Sequence, residues 1–238
     1  STEYSFGLFG YVYGANISNV KLANVNIDCG TRKNSAGADV YGSGIAALVG
    51  YYVPANEKVS VIENCHVLSG TVKASNNMGG LMGHFDSQLS QPAVDVTISN
   101  CSNAAAVTAE ARDAGGILGL INGSREGNLY VVMKGNITFK NCTNTGAVTT
   151  LSGGSTCAGG ILGRDNAAFT GQRLKVIFDN CTNSGTITVN AGKKAIAGKD
   201  SVRIHDGVLD LTAGNDAIHT SNEEDEDKGF IYIEGGTI

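Results

Sequence analysis

An asparagine followed by a cysteine closes a short apolar-polar run four times along the chain: "VIENCHV", "TISNCSN", "TFKNCTN" and "IFDNCTN". The asparagines are Asn64, Asn100, Asn141 and Asn180, and "NISNVKL" adds Asn19 with Val20 in the cysteine's place. Their spacings are 45, 36, 41 and 39 residues. A second motif recurs out of phase as "FGLFG", "AALVG", "GGLMG", "GGILG" and "GGILG", closing at Gly10, Gly50, Gly83, Gly119 and Gly163. A third element follows each asparagine and ends at Val72, Val107, Val148 and Ile187. From Gly50 on, length varies chiefly between the glycine motif and the Asn-Cys strand. From the closing glycine to the asparagine it runs 14, 17, 22 and 17 residues, against 19, 19 and 22 from asparagine to the next glycine. Such a repeat marks a solenoid, whose stacked coil is fixed while one connection is free to change length.

Each unit reads strand, loop, strand ending in Asn-Cys, turn, strand. No segment has a helical period, and 33 glycines against 2 prolines make helix interiors untenable. The fold class that follows is all-β: a single right-handed parallel β-helix, or β-solenoid, of about seven coils with three strands per coil. Equivalent strands would stack about 4.8 Å apart. At each bend Asn19, Asn64, Asn100, Asn141 and Asn180 are expected to form a structural ladder, each side-chain amide bonding to the one above and below. Alternation places Ile62, Ile98, Phe139 and Phe178 inside. Cys65, Cys101, Cys142 and Cys181 form a column beside the asparagines, with Cys29 and Cys157 off it. Stacked side chains point in parallel, which suits a disulfide poorly. Free thiols are therefore expected, and no Cys/His set has zinc spacing.

After Gly192 the pattern stops. Two shorter units follow, "KAIAGKDSVRIHDGVLDLTAGN" and "DAIHTSNEEDEDKGFIYIEGGTI", the second carrying an insertion with five consecutive carboxylates, Glu223 to Asp227. The domain reading is 1–192 and 193–238, with one solenoid continuing through a change of coil type. The net charge of −5 is uneven: residues 194–238 hold 10 of the 22 Asp and Glu but only 4 of the 17 Lys and Arg. No basic patch exists to neutralise phosphates, which argues against nucleic acid as a partner. The acidic end favours cations, or ligands bridged by cations. No apolar run approaches the roughly 18 residues of a membrane helix, so no membrane span is expected. No signal peptide is visible, so a targeting segment is expected to lie outside this chain.

The Gly-Leu-x-Gly and Asn-Cys units of residues 6–190 resemble GLUG-motif repeats, known from bacterial surface proteins and from the non-catalytic β-helical part of IgA-protease-like peptidases. Residues 193–238, in "GKDS", "GNDAIH" and "EDKGFIYIEGGTI", resemble a family of bacterial secreted carbohydrate-binding β-helices with a pectate-lyase-like fold. That family is associated with calcium and with acidic polysaccharide such as polygalacturonate. Together the resemblances imply a secreted or cell-surface bacterial adhesin or carbohydrate-binding module. Its partner would be acidic polysaccharide or another cell-surface glycan, and its cofactor Ca2+.

Calcium takes six to eight oxygen ligands. Asn222, Glu223, Asp225 and Asp227 alternate in the acidic loop, and Asp200 and Asp216 recur on the coil before it; these six are the candidate metal ligands. The plainer alternative is a solvated loop whose charge protects an edge from strand addition. Catalysis is not expected, because neither HExxH nor GxSxG is present. His66 reads as a turn residue and His84 as a loop residue. A lyase-like alternative has only His205-Asp206 as an acid–base pair, with Lys199, Arg203 and Lys228 as bases. Neutral sugars are usually bound by exposed aromatics, and the chain has no Trp. Tyr11, Tyr13, Tyr51 and Tyr52, which follow the glycine motifs of the first two units, are its candidates for such a patch, but packing in the core or at its rim is expected of them. A third class is a structural stalk, with end-to-end self-association through uncovered strand edges.

Overall fold

The computed structural model describes residues 3–236 apart from 31, 34, 38, 56–58, 87–93, 123–124, 127–128, 131–133, 152–155, 167–172, 192–195, 199–200, 205–208 and 221–229. Among the described residues there is no helix, and five large parallel sheets run along the repeats. One repeat passes through Asn76–Gly79, Met82–Asp86, Val94–Ser99, Ser102–Asn103 and Ala106–Ala109, and each strand joins a different sheet. The flanking repeats supply the equivalents: Met82–Asp86 pairs with Val49–Val53 on one side and Leu118–Asn122 on the other. This stacking of equivalent strands is the architecture of a parallel β-solenoid.

The repeat enters five sheets rather than the three strands read from the sequence, because the glycine motif hides a corner and the expected turn after Asn-Cys holds a two-residue strand of its own. In the glycine motif the corner falls between Gly79 and Met82. A Cβ on Gly79 would lie 1.9 Å from the Met82 carbonyl oxygen, and one on Gly115 equally close to that of Leu118. At Gly79 and Gly115 a side chain would have to displace that carbonyl; the preceding unit turns the same corner with Ala46. In the Asn-Cys motif the asparagine itself turns the chain. Asn19 has φ 61°, Asn64 52°, and Asn100, Asn141 and Asn180 51° each. This left-handed region strains most side chains, while asparagine's short amide tolerates it. The corner separates Val59–Glu63 from the two-residue strand His66–Val67.

The corner amides bond from unit to unit. Asn64 Nδ2 donates to Asn19 Oδ1 at 2.6 Å, Asn141 to Asn100 at 3.1 Å, and Asn180 to Asn141 at 2.9 Å. Between Asn64 and the next unit an imidazole intervenes: His66 Nε2 is 2.8 Å from Asn64 Oδ1 and its Nδ1 is 2.9 Å from Ser102 Oγ. His66 is thus a strand residue bridging two units, not a turn residue. Beside the asparagines, Cys101 Sγ donates to Ser99 O at 3.1 Å and Ile62 O at 3.6 Å, and Cys142 Sγ to Ile98 O at 3.3 Å. All six cysteines are free thiols. Burial pushes the Cys142 thiol up to about 12 and that of Cys157 to about 11, so both stay protonated and unreactive.

A second ladder lies inside. Asn103, Asn144 and Asn183 are the last residues of "NCSN", "NCTN" and "NCTN". Asn103 Nδ2 donates to Asn144 Oδ1 at 2.8 Å, and Asn144 Nδ2 to Asn183 Oδ1 at 2.7 Å. Each also donates to the carbonyl two residues on, that of Ala105, Gly146 or Gly185. The second glycine of each "GG" makes room for these amides and, at Gly80 and Gly116, also for the carbonyl of the next unit's glycine, 2.3 and 2.0 Å from where a Cβ would lie. A Cβ on Gly80, Gly116 or Gly160 would overlap the side-chain amide carbon of Asn103, Asn144 or Asn183 at 2.2, 2.4 or 2.3 Å. One unit earlier the equivalent positions are Ala47 and Val67, so an apolar pair there replaces the polar one.

The rest of the interior is columns of aliphatic and aromatic side chains. Leu48, Leu81 and Ile117 fill the glycine corner, and Ile62, Ile98 and Phe139 the strand before the asparagine. Phe178 stacks on Phe139 at 5.2 Å yet is half exposed, since its sheet has no further strand among the described residues. Past the change in composition, Leu209–Ala213 pairs in parallel with Ile187–Ala191, so one sheet carries on across Gly192. Two short pairs follow, Ile196–Gly198 with Ile218–Thr220 and Ser201–Ile204 with Phe230–Ile233.

Gly160→Ala should lower stability by about 1–3 kcal/mol through overpacking, since the atoms nearest an added Cβ all belong to the Asn183 side chain. Asn183→Ala should cost about 1 kcal/mol through loss of its bonds to Gly185 O and from Asn144. Because the two groups touch, the double variant should cost less than the sum. Urea unfolding of the four proteins measures this. Strictly additive losses would show that the glycine is not reserved for the amide.

Candidate functional site

The acidic segment lies in the sequence between two strands whose positions are known. Residue Thr220 ends one strand and pairs with Gly198, and Phe230 opens the next, pairing with Ser201. The chain therefore leaves toward Asn222 and toward Asp200 from adjacent points of one parallel pair. Asp200, Asn222, Glu223, Asp225 and Asp227 themselves lie outside the described residues, as do His205, Asp206, Lys199 and Lys228. Asp216 is described: it is exposed at the approach to the strand Ile218–Thr220, with Oδ2 3.1 Å from His219 Nδ1. Among the described residues no group of three or more His, Cys, Asp or Glu side chains is placed to hold a metal. After the loop, Phe230, Ile231, Tyr232 and Ile233 are all exposed, so both faces of that strand meet solvent.

A second concentration of chemistry lies on the sheet formed by Phe9–Tyr13, Val49–Val53, Met82–Asp86, Leu118–Asn122 and Leu162–Asp165. Register stacks Tyr11 on Tyr51, and Tyr51 on His84. The tyrosine rings are 5.5 Å apart and 13° from parallel, and Tyr51 and His84 are 4.4 Å apart. The Tyr51 hydroxyl donates to Asp86 Oδ2. Tyr52 points the other way, fully buried against Phe85, with its hydroxyl on Ala15 O at 2.8 Å. Tyr11 and Tyr13 are exposed, not packed in the core as the sequence suggested. Further along the column Arg164 Nη1 is 3.6 Å from Asp113 Oδ2, and the Cys157 N–H donates to Asp113 Oδ1. Burial raises the Asp113 carboxyl, opposed by the Arg164 guanidinium.

His84 is a strand residue, not a loop residue, because the glycine motif runs directly into Met82–Asp86. It is 7 % exposed, and neither ring nitrogen has a hydrogen-bond partner.

The family described as carbohydrate-binding domain-containing protein matches residues 179–238. The match begins at Asp179, before the change in composition, and takes in the Asn180-Cys181 corner, the strand Ile187–Ala191 and the whole acidic segment. It supports a carbohydrate-binding role and is in keeping with binding rather than catalysis. Comparison with the curated proteins and with the solved structures finds no match.

Burial lowers the His84 imidazole from 6.5 to about 4. The unfolded chain then takes up a proton that the folded one refuses, so the contribution to stability is complete above pH 6.5 and is lost as pH falls toward 4. Over that interval the loss amounts to about 3 kcal/mol. His84→Leu, with the residue that Leu120 places one unit on, should flatten this part of the curve. Urea midpoints of both proteins between pH 4 and 7 test it; parallel curves would mean that His84 is protonated without penalty.

Proposed function

We propose that the chain is a non-catalytic, secreted or cell-surface β-helix of the right-handed kind that binds carbohydrate, with acidic polysaccharide held through calcium as its ligand. The family match over residues 179–238 carries this reading. Residues 1–192 act as the rigid scaffold, and 193–238 as the binding segment. Electrostatics select the cation. The binding segment is itself strongly acidic, so it repels a polyanion unless a divalent ion lies between them. At contact distance each carboxylate pair costs on the order of 1 kcal/mol even in water.

Asp200, Asp216, Asn222, Glu223, Asp225 and Asp227 are the oxygen donors available for that ion. Their types suit calcium, which accepts carboxylate and amide oxygens in flexible numbers. The side-by-side departure of the chain after Gly198 and Thr220 supports their convergence. A bound ion would tie the loop to the strands beneath it, and calcium would in turn accept carboxylates from a uronic acid chain.

Binding to a glycan array that includes polygalacturonate should appear with millimolar calcium and vanish with chelator. At 100 times the dissociation constant, bound calcium stabilises by about 2.7 kcal/mol, a rise in Tm of roughly 5–10 °C for a chain of this size. Asp225→Asn combined with Asp227→Asn should abolish most of the shift. A shift that persists in this variant would move the ion to Asp200 and Asp216, and a wild-type Tm indifferent to calcium would leave only a solvated loop. Release of unsaturated products from the polysaccharide would overturn the non-catalytic reading.

A further inference from the structure

Strand parity makes two kinds of tyrosine from one sequence position. Tyr52 faces the core, whereas Tyr11, Tyr51 and Tyr13 belong to the opposite face, two residues apart along one strand or opposite each other across two. Tyr11 is 58 % exposed and Tyr13 51 %, while their neighbour Tyr51 is half-buried. The stack on Tyr51 and His84 fixes the Tyr11 ring plane, and the bond from the Tyr51 hydroxyl to Asp86 fixes the ring beneath it. A ring held in place from behind loses little side-chain entropy when a ligand arrives.

What such a surface can hold follows from its chemistry. The rings offer flat apolar area with polar tips, and the Asp86 carboxylate can accept hydrogen bonds at their rim. A pyranose has the complementary form, with a face of C–H bonds and a girdle of hydroxyl donors. A polyanion is disfavoured, because Asp86 bonds to the Tyr51 hydroxyl as a carboxylate and burial keeps the His84 imidazole behind Tyr51 neutral. A protein partner would want a wider apolar patch. Here Phe9, 41 % exposed, extends the apolar face along the first strand beside the exposed Phe6 and Leu8, but across the sheet the Tyr13 position turns polar at Asp86 and then at Asn122 and Asn166, whose amides bond to each other at 3.0 Å.

We propose that Tyr11, Tyr13, Tyr51 and Asp86 form a binding site for neutral glycan. It is independent of calcium and separate from the acidic segment, so it goes beyond the function proposed above and does not depend on it. The rings stack on the sugar face, and Asp86 accepts from its hydroxyls.

The chain has no tryptophan and three of its eight tyrosines lie in the site, so a change in tyrosine emission on titration that is lost in the Tyr11 and Tyr13 variants reports on it. The experiment titrates the full chain, in chelator, with a soluble neutral β-glucan, a xylan and a galactomannan. Tyrosine fluorescence and retardation in polysaccharide-containing native gels are both followed. Wild type and the Asp225→Asn, Asp227→Asn variant should bind at least one of the three equally well. Tyr11→Ala and Tyr13→Ala should weaken that binding at least tenfold with an unchanged Tm, and Tyr11→Phe should restore most of it. Absence of binding to all three polymers in chelator overturns the proposal. So does binding that survives in both alanine variants, or that Tyr11→Phe fails to restore. Loss of calcium-dependent binding to polygalacturonate alone would count against the acidic-segment site and leave this one standing.

Discussion

An asparagine held in the left-handed region of backbone space is the constraint on which the rest depends. At each of five corners it reverses the chain direction where most residues would be strained, and it does so with a side chain that can bond to its own copy in the next unit. Glycine would make the turn but leave the strand-end polar groups to water. The amide does both, which ties the height of one unit to the height of the next. With that spacing fixed, Cys101 and Cys142 meet carbonyls of the preceding unit, and the aliphatic columns fall into contact without adjustment.

The same regularity separates scaffold from function. Side chains that point inward repeat because they must stack. On the face of these strands opposite Tyr52 and Phe85 the repeats diverge: the position of Tyr11 becomes Tyr51, His84, Leu120 and Arg164 in turn. That column passes from an exposed aromatic through a buried imidazole and a buried leucine to a cation paired with the buried Asp113. The chemistry changes along the axis while the backbone does not.

Much of the fold was legible in the sequence because stacking imposes identity. Asn64, Asn100, Asn141 and Asn180 could be aligned by eye, and their spacing alone implied a parallel solenoid. The five sheets were not, since the corner at Gly79 falls inside a run that reads as one strand, and the two-residue strands His66–Val67 and Ser102–Asn103 fall where the sequence reads only a turn. The inner ladder was in view all along as the second asparagine of "NCSN" and "NCTN". Its burial could not be inferred from a residue type usually found at the surface, although the recurrence of "GG" only in units that carry it was a usable signal. His84 was misread because a polar residue after glycine resembles a loop. The acidic run lies outside the described residues, so its role still rests on composition and on the family match.

The pairing of glycine with buried amide bears on how such a chain grows. Gly80 with Asn103, Gly116 with Asn144 and Gly160 with Asn183 are each one lock, and Ala47 with Val67 is another of different cut. Half of one lock set against half of the other gives either a clash or a void with an orphaned amide. A duplication or crossover that splits such a pair is therefore selected against, and one that copies it whole is tolerated. The natural seam lies between an inner asparagine and the next double glycine, as in residues 104–114. The interval between glycine and asparagine, which holds the loop of variable length, can be stretched but not cut. The heritable module of this protein is thus out of step with the Asn-Cys motif by which the eye first finds it.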